Sequence, residues 1–135
     1  MSRYMRIENA AFDQVDLPFP LSVKLGRFCQ PLPAGSDSQT FATSVQLGAP
    51  MISAEVRLRG TAVAESLELG RAGELRFTVA PTCSGQKGRS VSLNGAVLHA
   101  AELTYEQTAM ATALLRFVAA APAGDRDPLA AEDLP

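Results

Sequence analysis

Tryptophan is absent from this 135-residue chain and histidine occurs once, at position 99. A nucleophilic serine or cysteine needs a base beside it, so one imidazole leaves little scope for that chemistry. His99 stands between Leu98 and Ala100 in an expected strand, where a lone histidine reads as a structural or surface residue. No apolar stretch of about 18 residues runs without charge, so no membrane-spanning helix is expected. The opening residues MSRYMRIEN lack the hydrophobic segment of a signal peptide, which makes the chain an expected cytoplasmic product. Basic runs are missing too: 12 Lys and Arg face 14 Asp and Glu, with no cluster able to neutralise a row of phosphates. Autonomous or sequence-specific nucleic-acid binding is not expected on that ground.

Motifs of chemistry are equally sparse. Cys29 and Cys83 lie far apart, without CxxC spacing or a nearby histidine, which argues against a metal site. Two buried thiols are expected, with a disulfide between strands as the alternative. Gly85 and Gly88 have the spacing of the last two glycines of GxGxxG, but Cys83 stands in the place of the first. A P-loop places lysine directly after its second glycine, and here Lys87 precedes Gly88. Asp13, Asp16, Glu102 and Glu106 read as edge or turn residues, not as an acid–base pair. No catalytic residue, cofactor, cofactor-binding residue or metal ligand is assigned, and no enzyme is expected.

What the chain does have is strand patterning. Its length suits one hydrophobic core, built from Leu, Val and Phe because much of the apolar count is alanine. Residues 1–121 are expected to form a single β-rich domain, and 122–135 an acidic, flexible tail. That tail carries Asp125, Asp127, Glu132 and Asp133 against Arg126. Ala54, Val56 and Leu58 alternate with Glu55, Arg57 and Arg59, and Leu75, Phe77 and Val79 alternate with Glu74, Arg76 and Thr78. Both are half-buried strands. Further strands are expected over 6–17, with a bulge or bend near Asp13-Gln14, over 21–29 with Leu21, Val23 and Leu25 inward, and over 40–47. Gln30–Gln39, rich in Pro, Gly, Ser and Asp, reads as an exposed loop, as does Pro81–Gly88. Residues 61–69 favour a short helix, with Val63 and Leu67 four apart and Gly70 as its stop, although a strand fits nearly as well.

The stretch 89–118 is the one on which propensity and pattern disagree. Ala, Leu, Met and Glu, with no Gly or Pro between Ala96 and Ala121, propose a long helix there. Val91 and Leu93 lead in with strict alternation instead, and Asn94-Gly95 suggests a tight bend between two strands. An internal copy favours strands: Ile7–Leu17 lies over Leu93–Leu103 without a gap, and Leu25-Gly26-Arg27-Phe28 matches Leu114-Leu115-Arg116-Phe117 after an insertion of three residues. A rival alignment sets Gln39–Thr43 against Gln107–Thr112, and chance likeness between short hairpins remains the plain alternative. The expected class is therefore mostly β, an antiparallel β-sandwich or barrel with one short helix at about 61–69.

The order of features resembles small bacteriophage tail proteins of the tail-tube type. The resemblance covers about residues 51–118 and rests on Leu93-Asn94-Gly95-Ala96-Val97-Leu98, Glu102-Leu103 and Ala111-Thr112-Ala113-Leu114-Leu115-Arg116-Phe117. It implies sheets joined around a six-fold ring, a homo-oligomer of a virion with other virion proteins as partners, assembled in the cytoplasm of a bacterial host. It also implies that a long loop and a short helix grip the neighbouring ring. The corresponding segments are Gln30–Gln39, with Leu32, Ser36 and Asp37, and the tail after Pro122, with Asp125 and Asp127. The basic pair Lys87 and Arg89 complements the acidic tail and could set the register between copies. A capsid decoration protein and a small β-barrel ligand-binding domain are the alternatives. The proline-rich segment Leu17–Leu21 departs from the family pattern.

Overall fold

The computed structural model describes residues 5–35, 41, 44–81, 88–120 and 127–133. In chain order these contain β1 (Met5–Phe12), β2 (Val15–Asp16), β3 (Pro20–Phe28), β4 (Pro31–Ala34), β5 (Ser44–Leu47) and β6 (Met51–Arg59). After them come α1 (Ala62–Ser66), β7 (Ala72–Pro81), β8 (Arg89–Thr104), β9 (Thr112–Ala119) and β10 (Leu129–Asp133).

Alternation builds the centre. β6 buries Ile52, Ala54, Val56 and Leu58 and exposes Arg57 and Arg59, and β7 buries Leu75 and Phe77. β9 buries Ala113, Leu115, Phe117 and Ala119, so residues with helix propensity form a strand because β6 and β8 hold them on both edges. Tertiary pairing outweighs the small propensity differences.

The main sheet is antiparallel, in the order β2-β1-β7-β8-β9-β6-β3, with β10 also paired to β8. β1 and β9 are three places apart in that order, which would separate them by about 14 Å in a flat sheet. Yet the rings of Phe12 on β1 and Phe117 on β9 stack at a tilt of 55° with centroids 4.7 Å apart. The sheet therefore folds over on itself around these two buried rings, and its interior is filled by side chains. β1, next to the β2 end of the order, and β3, at its other end, touch without a ladder between them, so the architecture is a folded, sandwich-like sheet and not a closed barrel.

Bulges supply the folding. β7 runs unbroken past Asn94-Gly95, and the pairing shifts from Leu75↔Leu93 to Gly73↔Ala96, which leaves one extra residue on β8. The expected tight bend between two strands is thus a bulge within one 16-residue strand, with Gly95 at φ 68 supplying the left-handed backbone. A second extra residue, at His99, sits where β8 pairs with β9. β1 carries the counterpart of the first bulge: Asn9 has φ 54, and the register against β7 shifts between Glu8 and Ala11. Asn9 and Gly95 are equivalent positions of the internal copy, as are the buried pairs Ala10/Ala96 and Phe12/Leu98.

The copy then diverges. After Phe12 the chain reverses through Asp13-Gln14, at φ 48 and 65, into β2, the two-residue turn with both φ positive that suits a hairpin. After Leu98 the chain continues. The downstream match fails in facing, since Phe117 is buried and Phe28 is exposed. Even so, β1 and β8 flank β7 while β3 and β9 flank β6, so the copied strands occupy equivalent sides of the two central ones.

Other expectations shift in detail. β3 bears a bulge between Pro20 and Ser22 that turns Leu21 to solvent, while Val23 and Leu25 pack against the core as expected. The helix is shorter than 61–69: it spans five residues, buries Ala64, and is followed by the buried Leu67, with Leu69 exposed. Part of the expected Gln30–Gln39 loop is strand, because β4 pairs with β5. Within the segment expected to be a flexible tail, Leu129–Asp133 forms β10 along Arg89–Leu93 of β8, with Leu129 partly buried against the core. Of the phenylalanines, Phe12, Phe77 and Phe117 are in the core, while Phe19, Phe28 and Phe41 are exposed.

Candidate assembly surface

β4 and β5 form an arm separate from the main sheet, and every residue in both strands is exposed. Its ladder sets Pro31 opposite Leu47 and Pro33 opposite Val45, so one side of the ribbon carries only Pro31, Pro33, Val45 and Leu47. The other side carries Leu32, Ala34, Ser44 and Gln46. Prolines two apart lie on the same edge as well as the same side, so their missing donors face outward and the ladder to β5 is spared. At the base, the Gly48 N–H donates to the Gln30 carbonyl at 2.9 Å, closing the arm. A two-stranded ribbon is marginal alone in water, and its apolar side is of the kind that another surface covers. Phe41 between the strands is 83% exposed, and Phe28 at the base is exposed too.

Sequence reasoning placed Leu32 among the contacts, and the structure sets it on the mixed side of this arm. It missed Val45 and Leu47, which carry the apolar side. The alternation Val45/Leu47 was visible, but its partner strand was hidden by the prolines. Ser36, Asp37, Lys87 and Asp125 lie outside the described residues, as does Cys83. Cys29 is a half-buried free thiol.

The remaining two candidates fall at the C-terminal strand. Arg89 opens β8, and the ladder sets it opposite Asp133, with Ser90 opposite Glu132. The basic start of β8 and the acidic end of the chain are thus neighbours within one chain. Asp127 stands just before β10, where its Oδ2 accepts from Arg27 Nη2 at 2.6 Å and its Oδ1 accepts from the Leu129 N–H at 3.0 Å. The Leu129 amide first, and then the Arg27 guanidinium, hold the Asp127 carboxyl below the usual carboxylate value. Both partners are substantially exposed, which limits what the pair contributes to stability.

Three charged groups on the outer face of the main sheet pair with one another. Arg116 on β9 pairs with Glu55 on β6 at 3.6 Å and with Glu102 on β8 at 3.5 Å. His99, thrown outward by its bulge, joins Phe28, Ser53, Glu55 and Arg116 around a shallow depression of about 250 Å³. Such a depression is small and open beside the pockets that enclose small-molecule ligands. Among the described residues no group of three His, Cys, Asp or Glu is placed to hold a metal ion, and no helix is long and apolar enough to cross a membrane.

A third exposed cluster lies where α1 meets the β8–β9 connection. Tyr105 donates through its hydroxyl to Glu65 Oε1 at 2.9 Å, and Arg59 Nε lies 3.0 Å from Met110 Sδ, while both Tyr105 and Met110 remain exposed.

No protein-family model matches the chain, and no curated protein matches it. Among solved structures, it is similar to a chain of an extracellular contractile injection system, the PVC sheath–tube complex in its extended state. The match covers 96% of this chain and 88% of that one, at 13% identity and a TM-score of 0.49.

Proposed function

We propose that this chain is a structural subunit that assembles with copies of itself into a ring or tube of a phage tail or a related tail-like particle, with no catalytic activity and no cofactor. The arm carries the reading: an exposed ribbon whose one side is wholly apolar is suited to a protein surface on a neighbour. A heterologous, head-to-tail contact of this kind closes into a ring when the rotation per copy divides a full turn. The six-fold symmetry, the virion location after assembly in a bacterial cytoplasm and the contacts with other virion proteins follow from the resemblance to tail-tube proteins, and belong to the proposal.

Sedimentation and negative-stain microscopy of the purified chain test it, alongside a Val45→Ser/Leu47→Ser variant. Rings or stacked rings are expected for the wild-type chain and loss of them for the variant, whose melting temperature as a monomer stays unchanged. A chain that remains monomeric at every concentration, and melts higher on adding a small ligand, overturns the reading.

A further inference from the structure

We infer that β10 is an exchangeable strand: in the assembled form it leaves its own β8 and pairs, in the same register, with β8 of a second copy. This inference rests on the self-assembly proposed above and names one of its contacts.

The edge of β8 explains why a strand is needed there. On that edge β9 pairs only with Val97–Thr104, so the Arg89–Leu93 portion would be open without β10. An open edge is a template for strand addition. What holds β10 in place is largely its ladder. Among the described residues, Leu129 packs against the core while Ala130, Ala131 and Glu132 are exposed; the Asn94 N–H donates to the Pro128 carbonyl at 2.9 Å, and Asp127 pairs with the exposed Arg27. Main-chain hydrogen bonds do not distinguish one copy from another. The groups that do select the occupant, the contact for Leu129 and the guanidinium for Asp127, are present on every copy.

Connection also permits the exchange. Between Ala119 and Asp127 the sequence is AAPAGDR, with one proline and one glycine. Seven residues can span at most on the order of 25 Å, which sets the reach of the exchange. Exchange conserves the bonds of β10, so it costs little once copies are held together, and it ties each subunit to the next. It also reconciles the charges: the Arg89–Asp133 and Ser90–Glu132 neighbours of one chain become neighbours across the interface.

The test uses cysteine pairs on the full chain in a Cys29→Ser/Cys83→Ser background. Ser92 and Ala130 are ladder partners on the outer side, and opposed residues in an antiparallel pair lie within disulfide range. Chains bearing Ser92→Cys are mixed with separately tagged chains bearing Ala130→Cys, assembled, oxidised and run on a non-reducing gel. Covalent pairs containing both tags are expected. The double Ser92→Cys/Ala130→Cys chain is expected to yield covalent multimers when assembled. Assembly in which the double variant closes only within its own chain, with no mixed pairs, overturns the exchange and leaves the subunit reading standing. A chain that never assembles overturns both. Ser90→Cys with Glu132→Cys, the next outward partners, repeats the experiment should the first pair fail to fold.

Discussion

Gly73 on β7 lies directly against the side chain of Asp13, so that a Cβ at position 73 would stand 2.7 Å from Asp13 Cγ and 2.9 Å from Oδ1. Asp13 cannot easily yield. Its backbone is set at φ 48 by the turn into β2, its N–H donates to the Glu74 carbonyl at 2.9 Å, and its Oδ2 accepts from Arg71 Nε at 2.9 Å. Gly73→Ala is therefore expected to destabilise by about 2 kcal/mol, as overpacking does. In an Asp13→Gly background the obstructing side chain is gone and the left-handed turn is kept, so the same substitution should cost less than half as much. Urea unfolding of the four chains of this cycle measures the coupling, and additive effects would refute the steric account.

The folded-over sheet makes a second prediction. Phe12 and Phe117 are fully buried and join strands that are not sheet neighbours. Either one changed to Ala should cost about 3–5 kcal/mol, and the double variant should cost about 0.5–1.5 kcal/mol less than the sum because the ring pair is lost only once. Equilibrium unfolding with two-state fits is the measurement. Additivity would mean that the rings pack independently and do not bridge the two halves.

Legibility followed how local each cause is. β6 and β7 could be read because their burial alternates residue by residue, and alternation is written in the sequence. The strand nature of 112–119 was legible only through the internal copy, since its alanines and leucines obey helix propensity until β6 and β8 claim them. Asn94-Gly95 misled because a left-handed glycine serves a hairpin and a bulge equally; only the continuation of β7 past it decides between them. Pro31 and Pro33 misled in the opposite direction, because proline breaks a ladder at consecutive positions and spares it at alternate ones. The Arg27–Asp127 clasp joins residues 100 positions apart, and no local pattern announces it.

That clasp predicts a pH response. The Asp127 carboxyl is held below its ordinary value of 3.8, first by the Leu129 amide and then by Arg27. A carboxyl depressed in the folded state adds stability that is fully present above its unfolded value and is lost as pH falls through the folded one. The tie to β10 should thus be intact at neutral pH and weaken only below about pH 3.8. An NMR titration of the Leu129 amide should show a midpoint under that value. Arg27→Gln should raise the midpoint while leaving it depressed, because the Leu129 bond remains. An identical midpoint in the variant would show that Arg27 contributes nothing to the clasp.

Phe19 predicts a separation of stability from assembly. It stands between Pro18 and Pro20 at φ 52 with its side chain 69% exposed, and its carbonyl accepts from the Arg59 N–H at 3.0 Å. A phenylalanine held in the left-handed region costs roughly 1–2 kcal/mol, which the ring does not recover by burial within the chain. Phe19→Gly should relieve that strain, offset in part by the greater freedom of glycine in the unfolded chain, and leave the monomer between unchanged and about 1 kcal/mol more stable. Phe19→Ala keeps the strained backbone and removes only the exposed ring, so the monomer should melt as the wild type does. An aromatic presented in this way is suited to a contact with a neighbouring copy. Both variants should therefore weaken assembly, by about 1 kcal/mol or more, which is roughly fivefold in the dissociation constant. Sedimentation across a concentration series reads the effect, and assembly of Phe19→Ala at wild-type concentrations would remove Phe19 from the interface.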